Sequence, residues 1–205
     1  MSIKDVLESL LFEKAAGPGP SFSVYDVIKA LGIIAEAGSI GRGKLSERLG
    51  IGGGAIRTLL RRLVEAGLIL TSRSGCSLTD KGKKIWRRIE EIIPHLSEIG
   101  QNELTFASYN VVVHVRDRGG KVRKGLEQRD AAVRAGAKGA ITLIYRSKKL
   151  MLPSITDDAE KSFPLAYRQI TRLMDLKDND VAIIACADTL REAEMGALAA
   201  AWTLI

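Results

Sequence analysis

The apolar positions of the chain follow one helical period after another until about residue 93, then give way to strand-like runs. Ile3, Val6, Leu7, Leu10 and Leu11 form one stripe, which predicts an opening amphipathic helix. "AAGPGPS" at 15–21 ends it with two prolines and two glycines. Val24, Val27, Ile28, Leu31, Ile34 and Ala35 predict a second helix from about Ser23 to Ala37, with Gly38 as its C-cap. "SIGRG" reads as extended, and Leu45 and Leu49 mark a brief helix in "RGKLSERLG". Ile56, Leu59, Leu60 and Leu63 stand at i, i+3, i+4 and i+7 on a further helix closed by Gly67. "LILTS" and "CSLT" flank Arg73, Ser74 and Gly75 as a hairpin, and "DKGKKIWRRIEEII" is a helix ending near Pro94.

From His95 the pattern fades, and the linker is expected at 96–107. A different alternation starts at Tyr109: strand "YNVVVHV", turn "RDRGGK", helix "GLEQRDAAVRAG", strand "AITLIYR", turn "SKK" and short strand "LMLP". Helix "FPLAYRQITRLMDL" with Pro164 in its first turn, strand "VAIIACA" and a last apolar helix complete it. This order, β-α-β-β-α-β-α, is that of a split β-α-β sandwich, the ferredoxin-like order, with one added helix. The expected class is therefore α+β, divided as 1–20 helix and linker, 21–95 first domain, 96–107 linker and 108–205 second domain. The stripes of the first and last helices are expected either to build a dimer or to complete a domain core.

Charge sharpens the picture of the first domain. Residues 42–88 hold twelve Lys and Arg against three acids, so that segment is +9 while the chain as a whole is +7. A local excess of this kind fits a polyanion-binding surface better than a generally cationic protein. Helix, short strand, helix, turn, basic helix, hairpin and helix is the element order of a winged helix-turn-helix. "LSERLGI", "IRTLLRRLVEAGLI" and "SLTDKG" resemble the corresponding segments of winged-helix transcription regulators of the MarR-like kind, over about residues 22–93. That resemblance implies double-stranded DNA as a partner, a homodimer, and a recognition helix at 54–66 whose N-terminal half enters the major groove.

On that helix Arg57, Thr58, Arg61 and Arg62 are expected to face solvent, with Arg57 and Arg61 one turn apart. Gly52, Gly53 and Gly54 precede them, where the family usually carries Ser, Thr or a long polar residue. They have two readings: close approach of backbone N–H groups to a phosphate, or positive φ in the turn. Arg42, Lys44 and Lys81 are candidate phosphate contacts, and Arg73 at the hairpin tip is a candidate wing contact.

The second domain offers less chemistry. "GLEQRDAAVRAGAKGAITLIY" is similar to the C-terminal domain of archaeal winged-helix proteins otherwise without an assigned function. Arg116, Arg118, Lys121, Arg123 and Lys124 lie in a glycine-containing turn before a helix, a candidate site for an anionic effector, against the alternative of a solvated hairpin. Asp188, after a buried strand, is either a further effector contact or a helix N-cap. No catalytic constellation, cofactor motif or metal-ligand spacing appears: "GAKGA" is too short for a nucleotide loop, and His114 has no partner at ligand spacing. Cys76 and Cys186 lie far apart, which suits reduced thiols in a cytoplasmic protein. The N-terminus does not read as a secretory signal, and no run is long enough to span a bilayer. A DNA-binding transcription regulator is the expectation. Its rivals are an enzyme with a winged-helix prefix acting on an anionic small molecule, and a winged-helix module that docks proteins of the transcription machinery.

Overall fold

The structure, a computed structural model, describes residues 2–11 and 21–205. The Pro/Gly break expected at 15–21 falls almost wholly outside the described residues. The chain forms two compact units, Met1–Ile89 and Glu90–Ile205.

In the first unit α1 (Ile3–Ser9) and α2 (Val24–Ala37) each open with a serine capping box, Ser2 with Asp5 and Ser23 with Asp26. α1 packs on α2, which buries Ile3, Leu7 and Leu10. α3 (Arg42–Leu49) and α4 (Gly53–Glu65) follow, then the hairpin β1 (Ile69–Ser72) with β2 (Gly75–Leu78), then α5 (Asp80–Ile92). Ile40 bridges Cys76, so the extended residues before α3 add a third, one-residue strand to the hairpin. This is the winged helix-turn-helix arrangement.

The residues that carried the resemblance have structural work to do here. Gly67 ends α4 at φ 69°, so that the Leu68 N–H reaches back to the Leu63 carbonyl, 2.9 Å away. The Thr79 hydroxyl donates to the Gly67 carbonyl at 2.7 Å and accepts the Gly82 N–H at 2.9 Å, capping α5. A Cβ on Gly82 would collide with the Leu68 carbonyl oxygen, which explains the glycine of "LTDKG".

The second unit is a five-stranded antiparallel sheet in the order β3-β4-β7-β5-β6: β3 (His95–Glu98), β4 (Tyr109–Val115), β5 (Gly139–Arg146), β6 (Lys149–Met151) and β7 (Val181–Ala187). Its helices are α6 (Leu126–Arg134), α7 (Ala159–Ser162), α8 (Pro164–Leu173) and α9 (Leu190–Trp202). The class is α+β, and the β-α-β-β-α-β-α order expected from Tyr109 onward is present. β7, the last strand, lies between β4 and β5, so that β4, α6 and β5 make a split unit.

Strand alternation sorts the sheet into two faces. Val112, Leu143, Ile184 and Cys186 pack with Ala166 and Ile170 of α8 in one core. α6 and α9 cover the opposite face, where Gly196 of α9 approaches Ala137 and Ala185 closely. One expectation is corrected here. Residues 95–98, at the edge of the expected linker, pair with β4 as an edge strand, with Leu96 opposite Val113. A four-residue strand is too short for its alternation to stand out of the sequence. The apolar face of α9 is buried from Met195 to Trp202 within its own unit, and Ile3, Leu7 and Leu10 of the α1 stripe lie against α2, so both stripes complete a domain core, the second of the two roles expected of them.

Candidate functional site

Around the start of α4 the first unit brings exposed cations of α3, α4 and the hairpin together. Most long helices here have a polar group on their first turn: Ser2, Ser23, Thr79 and Thr189 cap α1, α2, α5 and α9, and the Glu103 carboxylate takes the Leu165 and Ala166 N–H groups of α8. Those two bonds hold the Glu103 carboxyl below its ordinary range against the opposing effect of desolvation, which is the largest single influence on it. α3 and α4 have none: their N-caps are Gly41 and Gly52, without a side-chain hydrogen bond. The N–H groups and partial positive charge of both helix starts therefore have no capping side chain.

The three glycines can now be judged between their two readings. None has positive φ; the left-handed residue of this turn is Gly50, at φ 64°. Nor does packing require them, since nothing lies within 4 Å of the Cβ position of Gly52, Gly53 or Gly54. Glycine in a helix is less favourable than alanine by about 1 kcal/mol, so the first turn is bare without conformational need.

Around that turn the expected side chains are partly gathered. Arg42 at the start of α3 and Arg57 on α4 line one cleft of ≈ 420 Å³ with Leu60, Thr71, Ser72 and Cys76, bounded by the hairpin. Arg57 and Arg61 are exposed, and Arg61 shares its charge with Glu65 at 3.6 Å. Thr58 is half-buried, its hydroxyl donating to the Gly54 carbonyl at 3.2 Å. Lys44 on α3 and Arg73 at the hairpin tip are exposed. Lys81 sits at the other end of α4, its Nζ donating to the Ala66 carbonyl at 2.7 Å. Burial pushes the Cys76 thiol up, against the opposing field of Arg42, so the cleft floor is a neutral apolar surface.

Arg62 is a correction. It is 7% exposed, its Nη1 donates to the Leu10 carbonyl at 2.8 Å, and its guanidinium lies 5.5 Å from the centre of the Phe22 ring. At position 62 the side chain falls between Leu59 and Leu63 on the buried face, and a long charged residue is accommodated only because α1 ends beside it.

The second unit divides its expected effector residues between opposite ends of the sheet. The basic turn follows β4 at the Val115–Val181 end, while Asp188 follows β7 at the end where Tyr109 pairs Ala187. A seven-residue strand separates them by roughly 20 Å. Asp188 instead pairs with Lys138 at 2.5 Å, and Thr189, not Asp188, caps α9. Within the turn Lys121 donates to the Leu204 carbonyl at 2.8 Å, and Arg118 to the Asp117 carbonyl at 2.9 Å. Arg116, Arg123 and Lys124 are exposed.

The sequence pattern does not announce the buried polar groups of this unit, namely Asp180 as the partner of His114, and Asn110, Gln128 and Thr142. His114 Nε2 lies 2.8 Å from Asp180 Oδ2, both nearly inaccessible, and Asp180 also accepts the Asp117 and Lys177 N–H groups at 2.9 Å. Desolvation lowers the His114 pKa, outweighing the Asp180 hydrogen bond and charge. Gln128 and Thr142 are buried in a helix and a strand of otherwise ordinary pattern. No group of three or more His, Cys, Asp or Glu is placed to hold a metal among the described residues. No helix among them is long and apolar enough to cross a membrane.

Fold and charge together define a two-domain protein, a winged helix-turn-helix joined to an antiparallel sheet with helices on both faces. Residues 23–84 match the family described as "PH0730-like, N-terminal domain", and residues 106–204 match "Domain of unknown function (DUF4443)". The chain is similar to the hypothetical protein PH0730 from Pyrococcus horikoshii OT3, at 27% identity and a TM-score of 0.73, over 90% of this chain and 93% of that one. These likenesses are to an archaeal type of two-domain protein. Comparison with curated proteins gives no match.

Proposed function

We propose that the first unit binds double-stranded DNA, with the start of α4 in the major groove, and that the protein is a transcription regulator without catalytic activity. One observation carries the reading: three consecutive glycines expose the first turn of α4 where neither φ nor packing calls for them. A bare, positively polarised helix start suits close approach to a phosphate, and Arg57 one turn on suits a guanine edge. Arg42, Lys44 and Arg73 flank it on α3 and the hairpin tip, in position for backbone contacts that give affinity without sequence reading. The second unit serves dimerisation, response to an effector, or both, and two chains on a two-fold axis present two recognition helices to successive grooves.

The test is selection of genomic fragments by the purified full chain, followed by anisotropy titrations on the enriched site and on random DNA. Arg57→Ala is expected to weaken the enriched site by about 1–3 kcal/mol and to leave random DNA nearly unchanged. Absence of enrichment, with no binding of either DNA at low salt, overturns the reading in favour of protein docking.

A further inference from the structure

Among the helices of the second unit, α6 alone combines a bare start with buried polar atoms that lack partners. Its N-cap is Gly125, at φ 76°, and no side chain caps the first turn. The site admits no capping residue: a Cβ at 125 would sit 3.3 Å from the Thr142 side chain, in a backbone region that L residues avoid. Beneath this turn Thr142 is 2% exposed and Gln128 1% exposed, and neither Thr142 Oγ1 nor Gln128 Oε1 has a hydrogen-bond partner. The orientation of Gln128 is fixed by its neighbour. Thr203 spends its one hydroxyl proton on the Ala200 carbonyl, so the Gln128 amide must donate to Thr203 through Nε2, which leaves Oε1 as an acceptor without a donor. A buried acceptor left unpaired is unfavourable, so it calls for a donor from outside the chain.

Above the turn stand Arg123 and Lys124, both exposed and without an ion pair among the described residues. Lys121 is tied to the Leu204 carbonyl and Asp188 lies at the far end of the sheet, so neither belongs to this cluster. The only acid on the first turn is Glu127, which is exposed.

We propose that the start of α6 is a binding site for a phosphorylated, hydroxyl-bearing small molecule. The phosphate meets the first-turn N–H groups, Arg123 and Lys124. A neighbouring hydroxyl donates to Gln128 Oε1 and accepts from Thr142 Oγ1, which supplies what each atom lacks. A hydroxyl fits both atoms, whereas a second anionic group would repel the Gln128 oxygen. The proposal deepens the reading of the second unit as effector-responsive, but its test uses no DNA, so failure of DNA binding and failure of this site are separate results.

The experiment is titration calorimetry on the full chain with three probes: glycerol phosphate, inorganic phosphate and glycerol. Glycerol phosphate is expected to bind more tightly than inorganic phosphate, and glycerol not measurably. Arg123→Ala with Lys124→Ala should weaken both phosphate-bearing probes on the order of tenfold or more. Thr142→Val keeps the side-chain shape, so it should melt no lower than the parent while abolishing the preference for glycerol phosphate. Any of four results overturns the proposal: no binding of either phosphate probe at millimolar concentration, binding unchanged in the double variant, a preference that survives Thr142→Val, or a lowered melting point in Thr142→Val.

Discussion

Arg57 and Arg62 show how far apart two arginines of one helix can be in role. Arg57 projects from α4 beside the cleft, and Arg62 is sealed between α4, the end of α1 and the Phe22 ring. Arg62→Met should lower stability by about 1–3 kcal/mol in urea titrations, because the buried Leu10 carbonyl loses its donor. Arg57→Ala should stay within about 0.5 kcal/mol of the parent. Equal stabilities for the two variants would remove the structural role given to Arg62. His114 makes a second residue-scale prediction. Its pKa is lowered from the ordinary value of 6.5, chiefly by burial, so the folded chain takes up this proton less readily than the unfolded one. The stability tied to His114 is therefore full above about 6.5 and is lost as the pH falls through the lowered folded value. Urea midpoints should decline between neutral pH and pH 5, and His114→Gln should flatten the decline. An unchanged slope in that variant would assign the decline to other groups.

At the scale of elements, capping separates the helices that close on themselves from those left open. α2 and α9 carry Ser23 and Thr189 on their first turns, while α3, α4 and α6 begin at Gly41, Gly52 and Gly125. Placing a negative charge on the open end of α4 should act on binding and stability in opposite directions. Gly53→Asp replaces a poor helix former with an acid that favours the helix dipole, so it should be neutral or stabilising by up to about 1 kcal/mol. The same carboxylate would repel a phosphate, so DNA affinity should fall at least tenfold in anisotropy titrations. Retained affinity in this variant would place the DNA contact away from the α4 start. Gly82 is the converse case: it faces the Leu68 carbonyl, so it is required by the fold itself.

At the scale of the whole molecule, the charge between residues 42 and 88 is +9 and the remainder of the chain is net negative. Several of those cations are used internally, Arg48 with Glu36 at 2.7 Å and Lys83 with Asp80 at 3.5 Å. Arg42, Lys44, Arg57 and Arg73 then set the expected salt dependence. Each phosphate contact contributes about −0.9 to the slope of log K against log salt, so four give roughly −3 to −4 per chain. Arg73→Ala should make the slope shallower by about one unit if the hairpin tip meets a phosphate. A slope near zero for the parent would show that the cluster is a solvated face.

The first unit was readable from sequence almost element by element, because its signals are local: helical stripes, a tight turn at Arg73–Gly75 between short strands, and glycines whose φ or close contact fixes a turn. The sequence also showed that α3, α4 and the hairpin lie within forty residues of one another, but not that Arg62 is buried or that Lys81 sits at the far end of α4. The class of the second unit and its β-α-β-β-α-β-α order were equally local. Which faces were buried was decided only in three dimensions. The burial of Arg62 depends on a carbonyl 52 positions away, and the His114–Asp180 pair joins residues 66 apart. The unpaired atoms of Gln128 and Thr142 exist because α6 packs on a particular strand with Thr203 beside it. Hydrophobic period reports the direction in which a residue points along its own element. What it meets there is set by the register of the strands and by which helix covers which face, and no single stretch of the chain contains that.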